Sequence, residues 1–392
     1  MSDFTLIDQV TEKAKDLPRN TLKNIGIISK SILKAGTVNL NKVKESLSDV
    51  RDDKERTPDG DYKFLTRFFG QGKVDDEASG QVYEELMKCI QTLCWLIVFG
   101  QSNRFGVRKF KHLILDGTKW EDGEQTTHLM TLCVLVGDVA VPVWWEDLCK
   151  AGHSSQEERT EMLKRAMKRY GLSGMTLLAD REYTGTEWFK FLLSSGLYFV
   201  VRVKEGIYHE AVNGAKGPGW SRLKQRAKGK AKGKKVSKRI CLGGMDLHYI
   251  ILKNPRPKAD DDLIFMVSNL PSPAQAARLY EWRWQIEVCF KHLKSNGINL
   301  EQMNVRGKEK RHLMMAMAVF VYCLAIREGL VEEHKKGVRM VLDKASGFYY
   351  RAVSVFRKGV SILNRKARNA GQFIRYLQKV TNGHFLSLLQ NV

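Results

Sequence analysis

The sequence predicts a mixed α/β protein, in which a strand-bearing central part lies between helical segments. Short apolar runs of strand length alternate with amphipathic segments of helix length over residues 112–203, a pattern typical of a sheet flanked by helices. The first hundred residues show a helical period instead. A chain of 392 residues with 43% hydrophobic side chains is long enough for about two or three domains with buried cores.

The N-terminal part predicts a series of short amphipathic helices. Turn-forming residues interrupt it at Pro18, at Gly36 and at Pro58-Asp59-Gly60. The helical segments fall near 5–16, 21–34, 39–49, 62–69 and 81–98. The two segments that meet at Gly36, within residues 27–43, fit either a helix-turn-helix DNA reader or a plain helical hairpin, of which the hairpin is the commoner arrangement.

The central part predicts a mixed sheet. Its apolar runs alternate with two amphipathic helices near 155–170 and 185–195. Gly137-Asp138 separates two of the runs and is a hairpin signal. In chain order the predicted strands are 112–116, 129–137, 139–145, 175–180 and 197–203.

Residues 204–270 depart from that rhythm and predict a β-rich insertion with a basic arm. Ten Lys or Arg residues and no acidic residue lie between Arg222 and Arg239, and glycines interrupt their KGKAKGKK core, which is typical of a mobile loop. The strands predicted beside it are 236–243, 245–252 and 262–268. Further helices are predicted from Ser272 as a cap, over 306–330, and through a basic C-terminal segment.

The charge balance points to nucleic acid as the partner. Lys and Arg total 65 against 43 Asp and Glu, a formal net charge of +22. An anionic membrane is the competing partner, but the longest apolar runs, Cys89 to Gly100 and Leu313 to Ile326, are short for a membrane span and read better as core helices. No secretory leader pattern opens the sequence, so we expect a cytoplasmic protein with no membrane partner.

The cysteines and histidines disfavour a zinc site. Seven cysteines form no CxxC pair, and several lie in apolar runs, so we expect buried thiols rather than disulfides. None of the nine histidines supplies a zinc spacing. Any catalytic metal is therefore expected to have oxygen ligands.

Three carboxylates are the candidate oxygen ligands. Asp116 and Asp180 each end an apolar strand, where active-site residues of open α/β sheets collect, although strand-end turns also favour Asp for its local hydrogen bonds. Glu287 lies on a predicted helix over 279–294, on one stripe with several cations. The alternative there is a surface helix whose Glu287 makes ordinary pairs at i−4 and i+4. Together the three are the smallest oxygen set for two divalent ions that cut or join phosphodiesters.

At this point the residues resemble the DDE transposases of bacterial insertion-sequence family four, the cut-and-paste type. The family signature of Tyr, two residues, Arg, three residues, Glu, six residues and Lys is met by Tyr280, Arg283, Glu287 and Lys294, and a second family lysine matches Lys291. The blocks LILDGTKW (113–120) and LLADREYTGTEWFKFL (177–192) are similar to the family's two aspartate strands. The resemblance covers residues 105–330.

The resemblance implies an RNase H-like catalytic core interrupted by the β-rich insertion. Asp116, Asp180 and Glu287 would hold two Mg²⁺ or Mn²⁺ ions. The residues expected to contact DNA are Tyr280, Arg283, Lys291, Lys294, with Trp284 for an unpaired base and the arm lysines Lys230, Lys232, Lys234 and Lys235. The expected parts are a helical DNA-end-binding domain 1–104, the first part of the core 105–203, the insertion 204–270, the second part of the core 271–330 and a helical region 331–392.

The expected function is therefore a DNA transposase. It would bind the terminal inverted repeats of its element as a dimer, nick both ends by hydrolysis, and join the freed 3′-hydroxyls to target DNA. Family resemblance implies excision through a hairpin intermediate. Two alternatives stay open: an RNase H-like nuclease without strand transfer, and a non-catalytic DNA-binding regulator derived from a transposase.

Overall fold

The helices of this computed structural model form where the sequence shows a helical period. The structure describes residues 21–51, 57–71, 75–98, 111–122, 125–214, 218–255, 262–344 and 347–381. The helices are α1 (Thr21–Ala35), α2 (Leu40–Arg51), α3 (Pro58–Gly70), α4 (Glu77–Val98), α5 (Gln156–Arg169), α6 (Thr186–Ser194), α7 (His209–Asn213), α8 (Gly219–Lys228), α9 (Pro273–Tyr280), α10 (Gln285–Lys294), α11 (Lys308–Lys336), α12 (Val355–Lys366) and α13 (Ala370–Val380). Short 3₁₀ turns occupy Glu281–Trp284 and Leu300–Gln302.

Eight strands form one mixed sheet in the order β3-β2-β1-β4-β5-β8-β7-β6. The strands are β1 (His112–Asp122), β2 (Gln125–Val136), β3 (Val139–Asp147), β4 (Thr176–Ala179), β5 (Tyr198–Val203), β6 (Lys235–Leu242), β7 (Met245–Lys253) and β8 (Leu263–Ser268), and a separate hairpin is made by β9 (Met340–Asp343) and β10 (Phe348–Arg351). The mixed sheet and its helices fit the expected RNase H-like core.

The parallel centre of the sheet positions the candidate site. β4 pairs in parallel with both β1 and β5, and all four of its residues are buried. Strands that are covered on both faces are apolar throughout, which is why TLLA reads as a continuous apolar run. The register sets Leu115 opposite Ala179, so Asp116 within β1 and Asp180 just after β4 come next to each other, where the pairing of the two strands ends.

The insertion extends this sheet. β8 pairs antiparallel with β5, and β7 and β6 follow outward, so the predicted strands are confirmed and continue the core sheet. The basic stretch from Arg222 to Arg239 begins in helix α8, which the sequence pattern did not predict, while the KGKAKGKK core forms a turn between α8 and β6. Leu223 and Ala227, four residues apart, are both buried, and their packing stabilises the helix. The many lysines around them hide the helical pattern in the sequence.

The chain divides into two compact units. One contains the described residues of 110–119 and 128–288, and the other contains those of 1–109, 120–127 and 289–392. The five expected parts do not follow this division, and their boundaries stay a prediction.

Most of the other predicted elements are confirmed within a few residues. The break at Gly137-Asp138 is a hairpin with Val136 opposite Val139, and Ser155 and Ser272 cap α5 and α9. The predicted helix at 5–16 lies outside the described residues. The C-terminal segment is not wholly helical, because β9 and β10 precede α12. The described side chains of this hairpin are exposed or half-buried and show no helical period.

The second unit is organised around α11. This helix is long and apolar enough by composition to cross a membrane, but 89% of its most apolar stretch is buried inside the protein. It therefore serves as a core helix here, as its apolar run predicted. Gly329 of α11 and Gly359 of α12 lie where the two helix backbones approach closely, since a Cβ at either would overlap the main chain of the other helix.

Candidate active site

Two aspartates open the site on adjacent parallel strands. Asp180 directly follows the end of β4, as predicted, but Asp116 lies inside β1, which continues to Asp122 beyond its predicted end at residue 116. Asp116 accepts a hydrogen bond from the backbone N–H of Gly117 at 2.8 Å, and Asp180 accepts one from that of Arg181 at 2.7 Å. These are the local bonds that make Asp common at strand ends. They orient both carboxylates but leave most of their oxygen lone pairs for other partners.

The third carboxylate, Glu287, lies on a helical segment that consists of three pieces, where a single helix was predicted. After α9, the 3₁₀ turn Glu281–Trp284 tightens the chain before α10 begins at Gln285. Arg283 ends up inside the protein, with only 8% of its surface exposed. The cationic stripe predicted for this segment is therefore partly buried.

Arg283 gathers all three carboxylates. Its guanidinium nitrogens lie 3.1 Å from Asp116 Oδ2, 2.5 Å from Glu287 Oε1 and 4.0 Å from Asp180 Oδ2. The hydroxyl of Tyr280 donates to Asp180 Oδ1 at 3.4 Å. The pair with Glu287 has the i,i+4 spacing of an ordinary surface pair. Arg283 also contacts both aspartates, however, so the alternative of a simple surface helix does not describe this site. Residues from two strands and one helix thus meet at one guanidinium.

The charges of the cluster do not balance. Three carboxylates face one guanidinium, which leaves a formal charge of −2 when all are ionised. Burial raises the pKa of Asp116 to about 7; Arg283 opposes this rise, while Asp180 and Glu287 add to it. Burial alone would lower the pKa of Arg283, but its acidic neighbours raise it overall, so it stays charged. The cluster therefore has a net negative charge when its carboxylates are ionised.

Asp116→Asn should stabilise the metal-free protein at pH 8. The pKa of Asp116 is about 7 in the folded protein against an ordinary 3.8, so the folded state holds a proton that the unfolded chain releases, and the free energy of unfolding falls as pH rises through this window. We expect the advantage of the variant to grow from under about 1 kcal/mol at pH 4 to at most about 4 kcal/mol at pH 8. Urea unfolding with EDTA at both pH values measures it. An equal effect at pH 4 and pH 8 would contradict a charge origin.

A buried wall lies behind Asp116. His128, fully buried on β2, packs so close to Gly117 that a Cβ on the glycine would lie 3.1 Å from Nε2, and the hydroxyl of Tyr183 would be 3.6 Å away. Neither ring nitrogen of His128 has a hydrogen-bond partner among the described residues. Burial, with Asp116 nearby, raises the pKa of Tyr183 well above its usual range, so its hydroxyl stays neutral. A residue with a Cβ in place of Gly117 would therefore crowd this wall.

A second polar network fixes the loop after Asp180. Glu182 accepts hydrogen bonds from the backbone N–H and hydroxyl of Ser154 at 3.0 and 2.9 Å and lies 3.1 Å from His153. Buried Arg159 donates to the same serine and lies 5.0 Å from the centre of the Tyr183 ring. Glu182 therefore has a structural role in holding this loop.

The other predicted DNA contacts differ in exposure. Trp284 is 53% exposed, and Lys291 is exposed one turn beyond Glu287 on α10. Lys294 pairs with Glu301 at 3.1 Å and lies 5.6 Å from the ring centre of Trp120. The residues predicted to bind DNA through the basic arm form a turn after α8 and are exposed or half-buried: Lys230, Lys232, Lys234 and Lys235.

The arm lysines border a cavity of about 650 Å³. Lys230, Lys234 and Lys235 line it together with Arg278 and Glu281 from the segment that leads to Glu287. The backbone of the turn is bonded to Lys253, since Gly233 N–H donates to its carbonyl. The lysines of the arm therefore lie on the same unit as the carboxylate cluster.

The donor chemistry of the cluster suits a hard divalent cation. Its ligand atoms are carboxylate oxygens, its net charge is negative, and burial penalises its unbalanced anions. In the present arrangement Arg283 occupies the point of convergence. Among the residues that the structure describes, no three Asp, Glu, His or Cys side chains are placed to share one metal ion. The residues fit such an ion by charge and by ligand type.

Sequence reasoning found the residues of the cluster but missed the wall behind it. Asp116, Asp180, Glu287, Tyr280 and Arg283 are brought together as the motifs suggested. The only sequence signal for His128 was its position directly before the apolar run 129–137. Tyr183 gave none, because an aromatic residue after a strand is common in any core.

Comparison with known proteins gives two matches of different kinds. Residues 108–324 match the family described as "Transposase DDE domain". No curated protein matches the chain. Among solved structures the chain is similar to a cryo-EM structure of a piggyBac transposase synaptic complex with hairpin DNA, at 12% identity and a TM-score of 0.48, over 94% of this chain and 72% of that one.

Proposed function

Because the chain belongs to the transposase DDE domain family, we propose that it is a DNA transposase that cuts the ends of its own element and joins them to new DNA. One observation carries this proposal. Arg283 gathers the carboxylates of Asp116, Asp180 and Glu287, which come from strand β1, the end of the parallel strand β4 and one helix. Three half-buried carboxylates at one point would repel phosphate, so they give no advantage to a DNA-binding protein without catalysis.

Asp116, Asp180 and Glu287 are the residues that would hold Mg²⁺ or Mn²⁺, as two ions. Such ions, when bound, activate an attacking water or 3′-hydroxyl and stabilise the departing oxygen of a phosphodiester. The chain's own contribution is placement: the backbone N–H groups of Gly117 and Arg181 orient the two aspartates, and Tyr280 restrains Asp180. Arg283 keeps the carboxylates together, because its planar guanidinium offers several N–H donors in a fixed geometry.

The remaining predicted residues serve the DNA in this proposal. Lys291 and Lys294 would hold phosphates of the element end, as would the arm lysines. The exposed ring of Trp284 offers a surface on which an unpaired base can stack, as a hairpinned end would require. Pairing of two ends calls for a dimer on DNA, and the signature of Tyr280, Arg283, Glu287 and Lys294 supports placement in insertion-sequence family four.

The test is an assay with the DNA that borders the coding sequence. Labelled duplexes tiled across both flanks are incubated with the protein, Mg²⁺ and a target plasmid, with EDTA as the blank. We expect nicks at one position on each flank and covalent joining of the labelled 3′ end to the plasmid. Nicks without joining would support an RNase H-like nuclease, and binding without nicks would support a regulator; either result would overturn the transposase proposal.

A further inference from the structure

The ends of α11, α12 and α13 enclose a cavity of about 890 Å³ that is unusually rich in cations. Its lining includes one acidic side chain, Glu328, and the following basic ones: Arg327, His334, Lys335, Lys366, Arg375 and Lys379. All of these belong to the same compact unit. The cavity is separate in composition from the carboxylate cluster, which is rich in acids.

The single acidic residue is already neutralised. The Glu328 side chain is fully buried and pairs with Arg327, with Lys366 at 2.6 Å and with the hydroxyl of Tyr376 at 2.8 Å. Two cations on one carboxylate leave the floor of the cavity positive. A carboxylate held in this way orients the basic side chains and offers no free charge to repel an anion.

The rim of the cavity carries cations that form no ion pair with a carboxylate among the described residues. Lys335, Arg375 and Lys379 are exposed, and none of them pairs with an acidic residue in the part of the chain that the structure describes. Arg375 and Lys379 are four residues apart on α13, so they share one face of that helix, about 6 Å apart along its axis. Their mutual repulsion is unfavourable unless an anion joins them.

The C-terminal sequence supplies no acidic side chain that could neutralise the rim cations. From Lys344 to Val392 there are nine Lys or Arg residues and no Asp or Glu. α12 and α13 therefore carry only positive charge onto the cavity. A single small anion would meet one part of this rim, whereas a chain of phosphates can meet the cations of α11 and α13 together.

We infer that this cavity and its rim, defined by Lys335, Lys366, Arg375 and Lys379, form a second DNA-contacting surface that binds backbone phosphates without reading sequence. The inference rests on the proposed function for the choice of DNA as the polyanion. It assigns the C-terminal helices a part in holding DNA that is independent of the carboxylate cluster. Because the contacts are to phosphates, their contribution is salt-dependent.

The test compares two charge-matched double variants. Arg375→Gln with Lys379→Gln removes two rim cations, and Lys164→Gln with Lys168→Gln removes two cations at the same i,i+4 spacing on α5. Binding of a short labelled duplex is followed by fluorescence anisotropy over a NaCl series in EDTA. For the rim variant we expect roughly tenfold weaker binding at moderate salt and a log–log salt slope that is shallower by roughly 2. The α5 variant should keep the wild-type slope.

Several outcomes would overturn the inference. They are an unchanged slope in the rim variant, an equal loss in both variants, and a rim variant that loses binding to phosphatidylserine vesicles while keeping that to DNA. Thermal unfolding separates a folding defect from lost contacts, because relief of repulsion should leave the rim variant at least as stable as wild type. The measurement needs no metal and no cleavage, so a protein that fails to cut DNA refutes the proposed function and leaves this result standing.

Discussion

Glu287→Gln should abolish strand cleavage and strand transfer while leaving DNA binding intact. The substitution keeps the shape of the side chain and removes its charge, so Asp116 and Asp180 alone would have to hold the cations. Loss of a ligand-supporting group already costs 10- to 100-fold in metal affinity or activity, so we expect a fall of at least roughly 100-fold in cleavage rate. Binding should be unchanged or slightly tighter, since one negative charge leaves the site.

The matched control is Glu281→Gln. Glu281 lies in the 3₁₀ turn just before α10 and is exposed, so its replacement removes the same charge from the same segment. Cleavage of the flanking-DNA duplexes with Mg²⁺, together with anisotropy in EDTA, measures both properties. A Glu287→Gln protein that cuts at the wild-type rate would remove Glu287 from the catalytic site.

Gly359→Ala should destabilise the protein by about 3 kcal/mol, as expected for overpacking against atoms that cannot rotate away. A Cβ at this position would overlap the backbone carbonyl group of Ala325 on α11. Relief requires the two helices to separate, which loses packing along α12, including that of Ile362 and Leu363. Urea unfolding followed by circular dichroism gives the change as a lower midpoint with an unchanged slope.

Gly371→Ala is the control for the intrinsic effect of replacing a helical glycine. Gly371 is exposed in the first turn of α13, where a Cβ would lie 3.7 Å from the nearest atom outside its own turn, the Asn369 Oδ1. Alanine there should be neutral or stabilising by up to about 1 kcal/mol. A midpoint for Gly359→Ala equal to that of wild type would mean that the two helices are not in close backbone contact.

Periodicity predicted most elements because burial imposes it. Each strand and helix over 112–203 buries one face or both, so its apolar residues repeat with the period of that element. The sequence therefore predicted these elements and the two-residue break at Gly137-Asp138. Helix α8 was missed because only Leu223 and Ala227 mark its buried side among many lysines. The hairpin of β9 and β10 was missed because its side chains are mostly exposed and carry no period.

The sequence by itself determined the chemistry of the candidate site. Asp116 and Asp180 each follow a short apolar run, and a local spacing places Arg283 four residues before Glu287. Such features depend only on neighbouring residues and the geometry of one strand or helix. Only the tertiary structure decided that Arg283 turns inward, is buried, and meets Asp116 from 167 residues away. Local sequence sets which face of an element is apolar, but contact between distant segments depends on sheet register and on how the 3₁₀ turn aims the side chain.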